Sequence, residues 1–243
     1  VIYTRRSEFI AGLRDTIPMV VGAVPFGLIF GVTAVSNGIS PAAALGLSLF
    51  VFAGSSQFIA AALYGQGVGI LLIVLTTFIV NLRHMLYSVT LSPHLKGLGQ
   101  KWLLPLGFWL TDETFVIMAT RLNKADSSPH KHWYQLGSSL MMYLPWNIST
   151  IVGILAGQAF PDLTTLGLDF ALIVTFLGMV ITLVKTRPLL LAALVAGASA
   201  VLLDGMPNRL SLLVAALLGV VAGVLAEQWF PAPVQTTLPT QEN

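Results

Sequence analysis

Three short polar clusters stand inside apolar stretches of this chain, and each holds side chains that could do chemistry in hydrocarbon. The first is Ala53-Gly54-Ser55-Ser56-Gln57-Phe58. Glycine raises the cost of continuing a helix and the two serines compete for its backbone bonds, so a helix passing here can be interrupted. An interrupted helix would turn free N–H groups and the partial positive charge of a half-helix N-terminus towards a cavity, where they could hold a carboxylate. Close packing through small residues is the other reading of the same cluster. The second cluster is Asn81-Leu82-Arg83-His84-Met85-Leu86-Tyr87-Ser88, in which Asn81, His84 and Ser88 share one helical face and Arg83 and Tyr87 another. Arg83 sits well before the next loop, so an internal carboxylate suits it better than snorkelling to headgroups. His84 titrates near neutral pH as a free side chain and could relay protons, or it could be hydrogen-bonded between helices. The third cluster, Thr111-Asp112-Glu113-Thr114, lies in an apolar run and sets two acids about 100° apart around a helix. Both cannot face lipid: one could neutralise Arg83 while the other binds a substrate ammonium or takes up a proton.

The elements that carry these clusters must be membrane helices. The chain is 56% hydrophobic and 9% charged, with a mean hydropathy of +0.85, which leaves too little ionic surface for water to be its main solvent. Apolar runs at about 16–36, 41–64, 68–91, 103–120, 136–160, 169–184, 188–204 and 210–229 are expected to form an all-α polytopic membrane protein of about eight transmembrane helices, with a helix break in the second. With both termini inside, Arg5, Arg6, Arg14, Arg121, Lys124, Lys131, Lys185 and Arg187 fall on the cytoplasmic side, while Lys96, Lys101 and Arg209 fall outside. A re-entrant second segment moves Lys96 and Lys101 inside but pushes the 121–131 group and the Lys185/Arg187 pair out, so the eight-span count is preferred.

The opening 1–14 is expected to lie along the cytoplasmic interface; it lacks the short apolar core and small-residue cleavage site of a signal peptide. A single permease domain is expected over 1–230, followed by a mobile tail at 231–243. Within that domain Leu45-Gly46-Leu47-Ser48 matches Leu166-Gly167-Leu168-Asp169, and Gly31 and Ala34 match Gly153 and Ala156, which marks 14–121 and 135–230 as candidate repeats about an axis along the membrane normal. Pairs four apart, Gly27/Gly31, Gly153/Gly157 and Gly219/Gly223, offer faces for close helix approach, within the chain or to a partner. With no cysteine, disulfides, thiolate zinc sites and cysteine nucleophiles are excluded, and nothing asks for a metal or a cofactor. The small, scattered net charge of +2 gives no footprint for nucleic acid.

The same three clusters, Ala53 to Phe58, Asn81 to Tyr87 and Leu110 to Glu113, resemble in order the motifs of the AzlC-type branched-chain amino-acid permease family, as does the opening Gly12-Leu13-Arg14-Asp15-Thr16-Ile17-Pro18. The resemblance implies a bacterial inner-membrane exporter of branched-chain amino acids, driven by the proton motive force and working with a small AzlD-type membrane subunit. Some relatives carry Asp where this chain has Asn81, so no proton role is carried to that position. The residues on which transport would rest are Gly54, Ser55, Ser56, Gln57, Asn81 and Tyr87 as substrate contacts, and Arg83, His84, Asp112 and Glu113 as ion-pair and proton-coupling groups. Two readings from other classes stand beside it. One is an intramembrane serine hydrolase using Ser55 or Ser56 with His84; it lacks a glycine-flanked nucleophile elbow. The other is a non-transporting assembly or sensor subunit, for which central acids would be needless.

Overall fold

The computed structural model describes residues 3–124, 128–160, 177, 181, 184, 186–203, 205–206 and 210–230, and within these every regular element is helical. Most of the expected span at 169–184 and the tail at 231–243 lie outside the described residues, as do Lys185, Asp204 and Arg209. Two compact units are present, residues 1–168 and residues 169–243. In the first, the elements are α1 (Arg5–Ser36), α2 (Pro41–Gly46) continued by a π turn (Leu47–Val51), α3 (Gly54–Gly65), α4 (Ile70–Asn81), α5 (Arg83–Leu91), α6 (Gln100–Phe108), α7 (Asp112–Leu122) and α8 (Lys131–Ala159). The second holds α9 (Arg187–Leu202) and α10 (Leu210–Trp229).

The first unit is organised on α1 and α8, which run parallel with their backbones nearly touching. A Cβ on Gly12 would lie 2.0 Å from the Tyr134 carbonyl, one on Gly31 2.3 Å from that of Thr150, and one on Gly153 2.1 Å from that of Leu28. Only residues without a side chain permit this approach, and the Thr16 hydroxyl uses it to donate to Ser138 at 2.7 Å. The segment before Thr16 therefore does not lie along the interface as expected: it is the first part of α1, packed on α8 through Gly12 and Gly137. The Gly27/Gly31 and Gly153/Gly157 faces are both used up inside the unit. In the second unit Gly219 does the same job, because a Cβ there would lie 2.7 Å from that of Ala196.

Among the described residues, three helical rods are long and apolar enough to cross a membrane: α1, residues 70–94 and α8. Two segments expected as spans instead fold back halfway. Descending from the end of α1, α2 and its π turn bring Ser48 to Thr150 (2.8 Å) and the Leu49 carbonyl to the Tyr143 hydroxyl (3.0 Å). There Phe52 takes a left-handed conformation (φ 44°) that ends the helix, Ala53 is extended, and α3 starts at Gly54. From that point α3 climbs back along α1, placing Phe58 on Phe30 and Gly65 beside Asn37. The break expected in the second span is thus present, but the segment is a re-entrant hairpin.

A second hairpin enters from the opposite end. Trp102 at the start of α6 packs on His132 and Trp133 at the start of α8 (ring centroids 4.7 and 4.9 Å), and Trp109 at its close lies 5.7 Å from the Tyr143 ring. The chain then reverses at Thr111, and α7 returns to place Arg121 over the Tyr134 ring and against Glu8. The expectation of one helix running through 103–120, with Asp112 and Glu113 in its middle, is corrected by this reversal: both acids belong to the first turn of a new helix. Thr111 and Thr114 form a reciprocal cap that favours starting a helix over continuing one, and acids suit the first turn.

With two hairpins in place of two spans, the expected placement of Lys96 and Lys101 opposite the other basic residues is also corrected. Both belong to the end that carries Arg5, Arg6, Arg121, Lys124 and Lys131. At this end Arg121 forms a buried ion pair with Glu8 (Nε to Oε2 3.1 Å) and lies over the Tyr134 ring, tying α7 to both long helices, and the Tyr134 hydroxyl donates to Asp15 at 2.7 Å, tying those two to each other.

Leaving one charge of a buried pair without its partner costs about 3 to 5 kcal/mol, whereas apolar replacement of both costs less. Arg121→Ala is therefore expected to lower the thermal unfolding midpoint in detergent far more than the double change Glu8→Met with Arg121→Met. Gly153→Val should also lower it, by overpacking the contact between α1 and α8 at a cost of about 1 to 3 kcal/mol or more.

Candidate functional site

The hairpin tips, 52–55 and 109–112, meet the crossing rod at the joint between α4 and α5, and all three polar clusters converge there. Arg83 opens α5 just after a tightened turn at Leu82. Its guanidinium donates through Nη2 to the Ser55 hydroxyl at 2.6 Å and through Nη1 to Asp112 Oδ2 at 2.8 Å, so one side chain bridges both tips. The partner of Arg83 is Asp112, and the fork geometry of a guanidinium lets it hold both groups at once. The Ser56 hydroxyl donates to Asn81 Oδ1 in a short contact, fixing the other side of α3 to the end of α4. His84 Nδ1 lies 3.1 Å from the Asn81 carbonyl, and its ring stands edge-on to Tyr87, which stacks on Phe115 of α7 at 4.5 Å.

The two half-helix N-termini at the tips differ electrostatically. No side chain caps α3: Ala53 precedes it, and the N–H groups of the first turn are left to whatever occupies the tip. The start of α7 is capped by Thr111 and carries Asp112 and Glu113. One tip therefore presents donors and a positive dipole end, the other presents carboxylates. Between them, among the described residues, Arg83 Nε and Asp112 Oδ1 have no hydrogen-bond partner, and the Tyr87 side chain interacts with the same carboxylate. Oppositely charged ends of a small zwitterion find complementary groups in this arrangement.

Other expected site residues are placed elsewhere. Gln57 is fully buried and turns away from Arg83, donating to Ser48 at 3.0 Å in a network with Thr150 and the Trp146 indole. Glu113 is half-buried and makes no hydrogen bond or salt bridge among the described residues. Ser88, on the His84 face, is exposed. Neither serine of the first tip is hydrogen-bonded to His84: Ser55 receives Arg83 and Ser56 donates to Asn81, so the pair needed for serine hydrolysis is not assembled.

Sequence reasoning missed the far wall of the tips. Tyr143 of α8 touches both, edge-on to Phe52 (4.8 Å) and tilted on Trp109 (5.7 Å), and the Trp146 ring lies 3.0 Å from where a Cβ on Gly54 would be. Nothing in the spacing of Tyr143 marks it, because an aromatic in a membrane helix reads as packing. The second tip did carry a signal, the cap formed by Thr111 and Thr114 just after Gly107. Thr111→Ala, which removes that cap, should lower stability by about 1 kcal/mol. A fall in the unfolding midpoint that Thr111→Ser avoids would show it.

A family model described as AzlC protein matches residues 18–160, which hold both hairpins and most of the three long rods. Among curated relatives, the chain is 29% identical to the Inner membrane protein YgaZ of Escherichia coli over 90% of this chain and 89% of that protein. It is 30% identical to an uncharacterized membrane protein of Helicobacter pylori over 70% of the chain and 75% of the relative. With the Branched-chain amino acid transport protein AzlC of Bacillus subtilis it shares 29% identity over 71% of this chain and 68% of that one. No solved structure matches the chain.

Proposed function

The chain belongs to the AzlC family of membrane proteins, and on that premise we propose that it is the large subunit of a secondary-active exporter of branched-chain amino acids. The observation that carries this reading is Arg83 held between an uncapped half-helix start and an acidic one. The substrate carboxylate takes the first-turn N–H groups of Gly54 and Ser55 and the Arg83 guanidinium; its ammonium takes Asp112 Oδ1, with Tyr87 and Asn81 shaping the same side. Glu113, half-buried near His84, is the coupling carboxylate for the proton motive force. Gln57 holds α3 in place from behind through Ser48.

The substrate class is taken from the Bacillus relative, a branched-chain amino acid transport protein, and fits the aromatic wall opposite Arg83. We place the protein in the bacterial inner membrane with its basic end in the cytoplasm, since basic residues gather on that side. On the same reading both termini are assigned to the cytoplasm. We read residues 1–230 as one permease domain with candidate repeats 14–121 and 135–230. A small AzlD-type subunit completes the exporter.

The test is efflux of labelled valine from proteoliposomes under an imposed proton gradient, with and without the small subunit. Gradient-dependent efflux is expected only with both subunits. Arg83→Lys should reduce it at least tenfold, because a lysine cannot bridge Ser55 and Asp112 together. Asp112→Asn with Glu113→Gln should abolish gradient dependence. Unchanged efflux in that double variant refutes the assignment of the acids.

A further inference from the structure

The polar groups of the tips account for a zwitterionic head but say nothing of what selects the side chain. The tips have two flanks: the α4–α5 rod on one side presents Arg83, and α8 on the other presents Tyr143. Tyr143, like Arg83, touches both tips. Its ring packs edge-on against Phe52 at 4.8 Å and lies 5.7 Å from Trp109, while its hydroxyl donates to the Leu49 carbonyl at 3.0 Å. That carbonyl belongs to the π turn, so the phenol is anchored at its hydroxyl while its ring packs on both tips.

The aromatic residues and the polar ones are close along the chain. Phe52 precedes Gly54 by two residues and Trp109 precedes Asp112 by three, which limits the Cα separations to about 7 and 10 Å. The rings therefore lie within two or three residues of the groups assigned to the amino-acid head. Phe52 is buried, whereas Tyr143 and Trp109 are only partly buried, and among the described residues the Trp109 indole N–H has no partner.

We propose that Tyr143, with Phe52 and Trp109, forms the subsite that receives the substrate side chain, and that Tyr143 sets the upper limit on its size; this rests on the transport reading above. The ring is a rigid wall held by its hydroxyl and by contacts to both tips, so an aliphatic branch fills the space against it and a larger aromatic side chain does not. Removing the ring enlarges the subsite on the side facing away from Arg83 and leaves the head-group contacts intact.

Efflux of valine, leucine and phenylalanine is compared in proteoliposomes of the full chain and its small subunit for the unmodified protein, Tyr143→Phe and Tyr143→Ala. Tyr143→Phe loses only the bond to Leu49 and should keep the valine-to-phenylalanine ratio, whatever its absolute rate. Tyr143→Ala should lower that ratio at least tenfold. A ratio within twofold of the unmodified protein, with all rates falling together, overturns the proposal, since a merely structural residue would act that way. The absence of cysteine supplies a second measurement that needs no flux. In Tyr143→Cys, labelling of the introduced thiol by a methanethiosulfonate reagent should be slowed at least fivefold by valine and not by glycine. Labelling unaffected by valine overturns the proposal even if the ratio shifts. If the unmodified chain moves no amino acid while valine still protects the thiol, the transport reading fails and the subsite stands.

Discussion

A guanidinium in the middle of a membrane protein has to be paired, and the architecture of the first unit follows from how Arg83 is paired. Its two partners, Ser55 and Asp112, lie on two different hairpins that enter from opposite ends of the bundle. Charge neutralisation alone needs one carboxylate on any neighbouring helix. Bringing a second hairpin within 2.6 Å makes the same side chain a brace between two chain reversals, each far from its own end of the bundle.

Chain reversals at that depth carry a backbone problem of their own. Irregular backbone is tolerated in hydrocarbon only where protein or a water-filled cavity covers it. Here the reversals are covered: Phe52, Ala53, Leu110 and Thr111 are all buried. The cover is provided by α8, whose Tyr143 takes up a carbonyl released by the π turn and whose Trp146 sits on the first glycine of α3. In turn α8 is held by its glycine contact with α1, which needs no polar group and leaves the facing polar side chains of α8 free to serve the tips. The brace, the cover and the glycine seam are therefore successive layers of one arrangement.

The arrangement also divides labour between the tips. One reversal ends on an uncapped helix start and the other on a capped, acidic one, so a field of fixed direction exists between them before anything binds. Both hairpins are anchored at their own ends: the first through Asn37 and Gly65, the second through the buried pair of Glu8 and Arg121. A field set by backbone ends and anchored helices is preorganised, and a zwitterion entering it gains both contacts without reorganising the protein.

Much of this was legible in the residues. Hydropathy identified an all-α membrane protein, and the costs of placing glycine, paired serines, an arginine and two acids in hydrocarbon singled out the clusters that meet at the tips. The break before Gly54 was also readable, because the local chemistry of serine and glycine competes with a helix wherever it occurs. That the two broken segments turn back was not readable. An apolar run of 20-odd residues crosses a membrane or folds into a hairpin with the same composition, and the choice depends on whether another helix can cover the reversal. The same dependence kept Asp112 from being recognised as the first residue of a helix, left open whether it or Glu113 pairs with Arg83, and kept Gln57 from being assigned to Ser48. Tyr143 had no signal of its own. By itself the sequence determined which groups are too costly to leave in lipid, since that cost belongs to each side chain; which of them would meet was decided by tertiary packing, since a contact belongs to two.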